Sequence, residues 1–168
     1  MTSPFTDEHA AVFEDGVDFV DDPTLLEGPW RDSWSDELDQ RVQLSDTILL
    51  VDIETIRTDV DLDQMNTYRL ILAVNSSLFG QPPAEQLTLT VAQGERGYGT
   101  VDGNESRLLD GDFIAFLKFM ESDEGEIVPR WHLSPATDGV VRRTEYLIER
   151  RRAERRSGRT TEVVHAAE

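Results

Sequence analysis

The chain has 168 residues, of which 34 are acidic and 16 are basic, so its formal net charge is −18 at pH 7. This length allows one domain with a hydrophobic core and a further segment at either end. The negative charge opposes nonspecific binding to nucleic-acid phosphates and to anionic membrane surfaces. Because the sequence contains no cysteine, disulfide scaffolds, thiolate metal sites and cysteine nucleophiles are excluded.

The charge is distributed unevenly along the chain. The net charge is −10 over residues 1–44, −11 over residues 45–138 and +3 over residues 139–168, which predicts an acidic N-terminal arm, a globular middle and a basic C-terminal segment. The N-terminus lacks the basic and apolar stretches of a secretory signal, and no apolar run reaches membrane-spanning length. We therefore expect a cytoplasmic protein without membrane contact.

The N-terminal zone combines two patterns. Residues 1–28 mix acidic residues with scattered apolar ones and show no sustained period, which predicts a flexible acidic arm. Trp30, Trp34 and Leu38 then follow one another at a spacing of four, which predicts a short amphipathic helix over residues 29–42. The tryptophans either close the open end of the protein's own core or form a partner-binding face.

Alternation of apolar and polar residues predicts five strands in the middle zone. The strand over residues 111–120 is apolar on both faces except at Lys118, which is typical of a strand inside a core. We expect the Lys118 ammonium to reach the rim or to pair with a carboxylate. The glycine-containing connection over residues 93–110 lacks the Lys-Ser or Lys-Thr pair of a phosphate loop and predicts turns. The predicted strands span residues 47–54, 68–74, 87–92, 111–120 and 127–133.

The order of these strands, with a glycine-rich connection after the third, resembles that of a small OB-fold barrel. The strand end at Leu78-Phe79-Gly80, the strand over residues 87–91 and the entry at residues 109–113 are similar to the netrin-like variety of that barrel. The resemblance covers residues 47–135. It implies a mainly β fold, a small five-stranded OB-like antiparallel barrel over residues 45–138, with an acidic N-terminal arm and a C-terminal α-helix. The cysteines of secreted netrin-like modules are absent, which argues against an extracellular function.

Ligands of OB barrels usually contact the loops that join strands one to two and four to five. In this sequence those loops are residues 57–66 and 121–126, and both are acidic. An acidic rim repels phosphate, so a nucleic-acid ligand is disfavoured.

Three aspartates in the first of these loops suggest a cation site. Asp59, Asp61 and Asp63 resemble the first positions of a calcium loop, but Gln64 and Leu70 stand where such a loop needs glycine and glutamate. An EF-hand is therefore excluded. A weak divalent-cation site and a solvated acidic surface are the two interpretations that remain.

Two further groups of residues are candidates for binding. His132 and Arg130 lie on the fifth strand and form either a small ligand patch or hydrogen-bonded strand residues. Five arginines between residues 150 and 156 are interleaved with glutamates on a predicted helix over residues 140–158. They predict a salt-bridged helix, a contact with acidic surfaces of the same or a neighbouring copy, or a nucleic-acid contact, in that order.

The sequence contains no recognisable catalytic or cofactor motif, so we expect a non-enzymatic protein-interaction or adaptor module that uses no cofactor. A nucleic-acid-associated OB-fold protein, and a divalent-cation-dependent enzyme or binding domain that uses the acidic loops, are the alternatives. We expect a protein partner or self-association. The candidate partner-binding residues are Trp30, Trp34, Leu38, Arg151, Arg152 and Arg155.

Overall fold

The computed structural model describes residues 7–109 and 111–167, with side chains described as far as residue 157. The fold is mainly β, as predicted: one sheet curls into a half-barrel, and a long helix follows at the C-terminus. The helices are α1 (Asp7–Val12), α2 (Pro29–Leu44), α3 (Tyr98–Val101), α4 (Glu105–Leu109) and α5 (Asp138–Ala167), with a 3-10 turn at Pro23–Leu25. The strands are β1 (Gly16–Val17), β2 (Thr47–Val60), β3 (Asn66–Phe79), β4 (Gln86–Ala92), β5 (Asp112–Glu121) and β6 (Ile127–Pro135).

The sheet has six strands in the order β1-β6-β5-β2-β3-β4. All neighbouring strands are antiparallel except β1, which runs parallel to β6. The pairing of β2 with β3 shifts register at three points, between residues 48 and 55 of β2. Such irregularities bend a strand and increase its twist, so they explain why this long hairpin curls and brings β4 round towards β6.

Strand β5 is buried on both faces, as its sequence predicts. Its even positions face the helices and its odd positions face the inside of the curl, where they form part of the larger core. Lys118 is the exception that the sequence suggested: its Nζ atom lies 3.3 Å from Oδ1 of Asp46. The residues that face inwards are Phe113, Ala115 and Leu117, and those under the helices are Ile114 and Phe116.

The structure confirms the helix predicted at residues 29–42, which continues to Leu44. The C-terminal helix also forms, and it continues past Gly158, where the sequence suggested a stop. The prediction of turns over residues 93–110 is correct for residues 93–97 and 102–103, but the described part of this connection also contains two short helices, α3 and α4, which the sequence did not predict. Val101 and Leu108 on these short helices are fully buried, and they close the inside of the half-barrel.

The prediction of a flexible arm is wrong for the described part of residues 1–28 that includes α1 and β1. Val12 and Phe13 have no exposed surface and pack with α2 and α5 on the outer face of the sheet. Val17 belongs to the core inside the curl. The scattered apolar residues of this acidic segment therefore anchor it to the core. The segment also supplies β1, so the sheet has one strand more than the five that the sequence predicts.

Candidate functional site

A buried ionic cluster holds the described part of residues 1–28, which we call the N-terminal segment, on β6. The ring of His132 lies between two carboxylates: its Nδ1 atom is 2.6 Å from Oε1 of Glu14, and its Nε2 atom is 2.7 Å from Oδ2 of Asp18. The same oxygen of Asp18 accepts a hydrogen bond from Oγ of Ser134 at 2.5 Å. Arg41, on α2, donates from Nε to the carbonyl of Val12 at 2.9 Å.

Electrostatics make this cluster close to neutral. Burial and the Arg41 guanidinium oppose protonation of His132, but the hydrogen bonds to Asp18 and Glu14 outweigh them and raise the pKa of His132. Burial opposes ionisation of both carboxylates, yet their bonds to His132 hold the pKa of Glu14 and the pKa of Asp18 below their ordinary values. Two cations thus face two anions. Both ring nitrogens of His132 are occupied, so the cluster is suited to fastening the chain and not to proton transfer with a ligand.

A second buried acid lies beside this cluster. Asp15 accepts a hydrogen bond from the backbone N–H of Trp131 at 3.0 Å, and its Oδ2 atom lies 2.7 Å from Nε of Arg130. Burial raises the pKa of Asp15 to about 7, although Arg130 and the Trp131 N–H act in the opposite direction. Asp15 also has a φ of 60°, in the left-handed region that is uncommon for residues other than glycine. The structure therefore places Arg130 and His132, the predicted ligand patch, at the attachment of the N-terminal segment.

Strand β4 lies at one end of the sheet, so one of its edges has no neighbouring strand in the described sheet. Gln93 donates its N–H to Asn66 and Val74 donates to Glu85, so the odd-numbered positions of β4 bond to β3. In an antiparallel ladder the even-numbered positions then point away from β3. One of these outward groups, the carbonyl of Thr90, accepts a hydrogen bond from Nε1 of Trp131 at 3.0 Å.

We call the gap between this edge and residues 127–131 of β6 the seam. Beyond the Trp131 bond the seam opens into a cleft of about 860 Å³, which we call the seam cleft. Its lining is mainly apolar, and Ile127 at its mouth is 58 % exposed. The lining residues are Asp46, Pro83, Gln86, Leu87, Thr88, Leu117, Phe119, Glu121, Ile127 and Pro129.

Two features of β6 explain why the seam does not close. At residues 131–133 the outer edge of β6 is occupied by the N-terminal segment: Asp15 and Asp18 donate their N–H groups to the carbonyls of Trp131 and Leu133. By the same alternation, Pro129 is the next position whose backbone nitrogen faces the seam, and proline has no N–H to donate. Strand β4 therefore finds no continuous partner, and its edge stays unpaired at residues 86–88.

The predicted partner-binding residues of α2 occupy different environments. Trp30 is 75 % exposed. Trp34 is half-buried and packs against the core between the sheet and the helices, and Leu38 is buried in that core. The helix thus combines an exposed tryptophan with a core-facing stripe. Trp34 fits the interpretation in which the pair closes the protein's own core, and a partner-binding role for the exposed Trp30 stays a prediction.

The predicted arginines of α5 also differ from one another. Arg151 is buried, stacks over the ring of Phe79 and donates two hydrogen bonds to backbone carbonyls at the end of α2. Arg152 is exposed and donates to Glu149 at 2.8 Å, and Arg155 is exposed. The interaction hypothesis for this helix therefore depends on Arg152 and Arg155.

Two of the three aspartates of the β2–β3 hairpin have local partners for their carboxylates. Asp61 accepts backbone N–H groups from Asp63 and Met65, both at 2.9 Å, and so stabilises the turn. Asp59 pairs with Arg69 across the hairpin at 2.9 Å. Within the part of the chain that the structure describes, no group of three or more histidine, aspartate or glutamate side chains is arranged to hold a metal ion.

One carboxyl group elsewhere has a raised pKa. Asp52 and Asp112 face each other on β2 and β5, and the hydrogen bond between them raises the pKa of Asp112. Asp112 is exposed, Asp52 is half-buried, and Asp112 borders a groove with Asp138 and Glu145. Two such acids could exchange a proton, but this alone does not define a substrate site.

Sequence reasoning missed the seam cleft and the carboxylates of the N-terminal segment. A signal for the segment was present, since Phe13, Val17 and Phe19 alternate with acids. The only indication of the cleft in the sequence was Pro129, because the pairing of the strands in the fold decides which strand edge stays free. Among the described helices, none is long and apolar enough to cross a membrane. No protein-family model matches the sequence, and a search of curated proteins found no relative.

Proposed function

We propose that this protein is a non-enzymatic interaction module that binds an extended segment of a partner protein along the edge of β4. The observation that carries the proposal is the free backbone edge at residues 86–88, which borders the seam cleft. An added strand would bond to the outward N–H and C=O groups of Gln86 and Thr88. Its side chains on one face would contact Phe119 and Ile127.

Physical arguments favour this mode of binding. Exposed sheet edges are templates for strand addition, in which main-chain hydrogen bonds supply affinity and side-chain pockets supply specificity. Natural proteins usually protect such edges, and here the cleft lies beside an edge that is left open. The acidic residues around the cleft repel phosphate, so they disfavour a nucleic-acid ligand.

The proposal extends to the type of fold and to the setting. We propose that β2 to β6 form an OB-like barrel, of the netrin-like variety, that is opened at the seam. Its support is the antiparallel pairing of these strands, the short helices after the third of them and the single side-chain bond from Trp131 to Thr90 across the gap. A cytoplasmic location is part of the same proposal and accords with the lack of cysteine.

Selection of peptides from a random displayed library tests the binding mode. Peptides that bind the protein are measured against two variants, Thr88→Pro and Thr88→Ala. Proline removes the outward N–H of residue 88 and places a ring at the edge, whereas the ladder to β3 does not use that group. We expect Thr88→Pro to weaken binding by roughly tenfold or more, and Thr88→Ala by less than about threefold.

The circular dichroism spectrum and the unfolding midpoint of each variant report whether the fold is kept. If every selected peptide binds the folded Thr88→Pro variant as tightly as the unmodified protein, the proposed edge is not the binding site.

A further inference from the structure

We propose that the partner segment is basic, with apolar side chains that enter the seam cleft and arginine or lysine side chains that meet its acidic rim. This inference deepens the proposed function and depends on it. It names the chemistry of the occupant, which the free edge by itself leaves open.

The charges around the seam cleft are predominantly negative. Asp46 and Glu121 line the cleft, and Glu54 lies beside its edge, where its Oε2 atom accepts a hydrogen bond from Nε2 of Gln86 at 3.2 Å. The loop over residues 121–126 adds further exposed acids at the mouth. Lys118 is the cation next to the lining, and it is buried and paired with Asp46. Neither Glu54 nor Glu121 forms an ion pair with another described residue, so a cationic segment would find carboxylates there that have no local counter-charge.

The apolar floor and the strand edge restrict the form of the ligand. Successive side chains of an added strand point to opposite faces, so one set would enter the cleft while the other set stays outside. Apolar residues suit Phe119 and Ile127 inside. Basic residues suit the rim, since Asp46 and Glu121 are among the residues that line the cleft. A segment that alternates apolar and basic residues satisfies both requirements.

The same charges disfavour a second copy of this chain as the occupant. Two copies would bring acidic rims together, each on a chain with a formal net charge of −18. Like charges at an interface oppose association and select against the wrong partner. The arginines of α5 could not supply the strand, since residues 138–157 are helical. The observations therefore favour a separate basic protein.

Two synthetic peptides test the inference directly. One alternates valine with lysine, the other alternates valine with glutamate, and both carry a fluorophore for anisotropy titrations with the full chain. We expect the basic peptide to bind at least about tenfold more tightly at about 50 mM NaCl, and to lose most of that advantage at about 500 mM, where exposed charges are screened. Equal affinity of the two peptides would overturn the inference.

A matched pair of variants separates a local rim from general attraction to an acidic protein. Glu121→Gln with Glu126→Gln removes two charges beside the cleft, whereas Asp32→Asn with Asp36→Asn removes two exposed charges on α2. We expect the first variant to bind the basic peptide roughly fivefold more weakly and the second to change affinity by less than about twofold. Equal weakening in both would show attraction without a site and would overturn the inference.

The outcome also distinguishes this inference from the proposed function. Library peptides that depend on Thr88 but are neutral or acidic would overturn the basic ligand and leave strand addition standing. A library with no Thr88-dependent peptide would overturn both. Concentration-dependent dimers in sedimentation that Thr88→Pro abolishes would assign the edge to a second copy and overturn the separate basic partner.

Discussion

Arg151 joins the C-terminal helix to the body of the protein. Its Nη1 atom donates to the carbonyl of Val42 at 2.7 Å and to the carbonyl of Ser45 at 2.9 Å, at the end of α2. The last carbonyls of a helix lack partners within the helix, so this guanidinium satisfies groups that would otherwise be buried without a donor. The Cζ atom of the Arg151 guanidinium also lies 4.3 Å from the ring centroid of Phe79.

We expect Arg151→Ala to lower the free energy of unfolding by about 2–3 kcal/mol, because it removes charge-assisted hydrogen bonds and leaves buried carbonyls unpaired. The matched control is Arg155→Ala, one turn further along the same helix and exposed, which we expect to change stability by less than about 0.5 kcal/mol. Urea denaturation followed by tryptophan fluorescence measures both. Equal effects of the two substitutions would contradict the structural role of Arg151.

The arginine run illustrates what the sequence can predict at the residue scale. Its charge and spacing predict a basic helix, and the helix forms. Which arginine is buried depends on how α5 lies against Phe79 and the end of α2, which no local pattern contains. His132 presents the same difficulty, because its partners Glu14 and Asp18 lie more than a hundred residues away in sequence.

At the scale of elements, the contact between β1 and the glycine-containing connection carries the next prediction. Gly97 packs directly on the backbone of Glu14 and Asp15, immediately before β1, so a Cβ atom at this position would collide with the carbonyl of Asp15. At Gly99, two residues further along, an added Cβ would meet no atom within 4 Å. Neither glycine has a positive φ, so the main difference between the two positions is the space available for a Cβ atom.

Gly97→Ala should therefore destabilise the protein by about 1–3 kcal/mol, the usual cost of forcing a group into a packed contact. Gly99→Ala lies within α3, where alanine is favoured over glycine, and should leave stability unchanged or raise it by up to about 1 kcal/mol. Thermal unfolding of both variants gives the comparison. Hydrogen exchange at β1 should increase in Gly97→Ala alone, and protection of β1 equal to that in the unmodified protein would argue against this packing role.

The elements that the sequence predicted are those with their own periodic pattern: α2, the strands β2 to β6 and α5. Strand β1 has two residues, too few to show any period, and it forms only because β6 presents a free edge. The seam cleft was unpredictable for a related reason. It depends on the bulges of the β2–β3 hairpin and on the missing donor at Pro129, and it emerges only when the strands are assembled.

At the scale of the whole molecule, the buried titratable groups set the pH at which the fold is most stable. The pKa of His132 is raised, so its contribution to stability is present below its ordinary pKa and is lost as the pH rises through the folded value. The pKa values of Glu14 and Asp18 are lowered, so their contributions are present above the ordinary carboxyl range and are lost as the pH falls.

The raised pKa of Asp15 moves the pH of maximum stability to a lower value. Because burial raises its pKa to about 7, from an ordinary value of 3.8, the native state holds a proton that the unfolded chain has already released. Its stabilising contribution is full below about pH 4 and is lost as the pH rises through about 7. Growing negative charge on a chain with a sequence pI of about 4.4 acts in the same direction.

We therefore expect maximum stability at about pH 5–6, with a loss of about 1–3 kcal/mol between pH 5.5 and about pH 8. Urea midpoints measured across this range give the curve. Asp15→Asn keeps an oxygen for the Trp131 N–H but cannot ionise, so it should flatten the slope even where it lowers stability overall. Asp32→Asn, which removes one exposed carboxylate from α2, should keep the slope of the unmodified protein. If the two variants share the same slope, Asp15 is not the group responsible, and the loss above neutrality comes from the general charge of the chain.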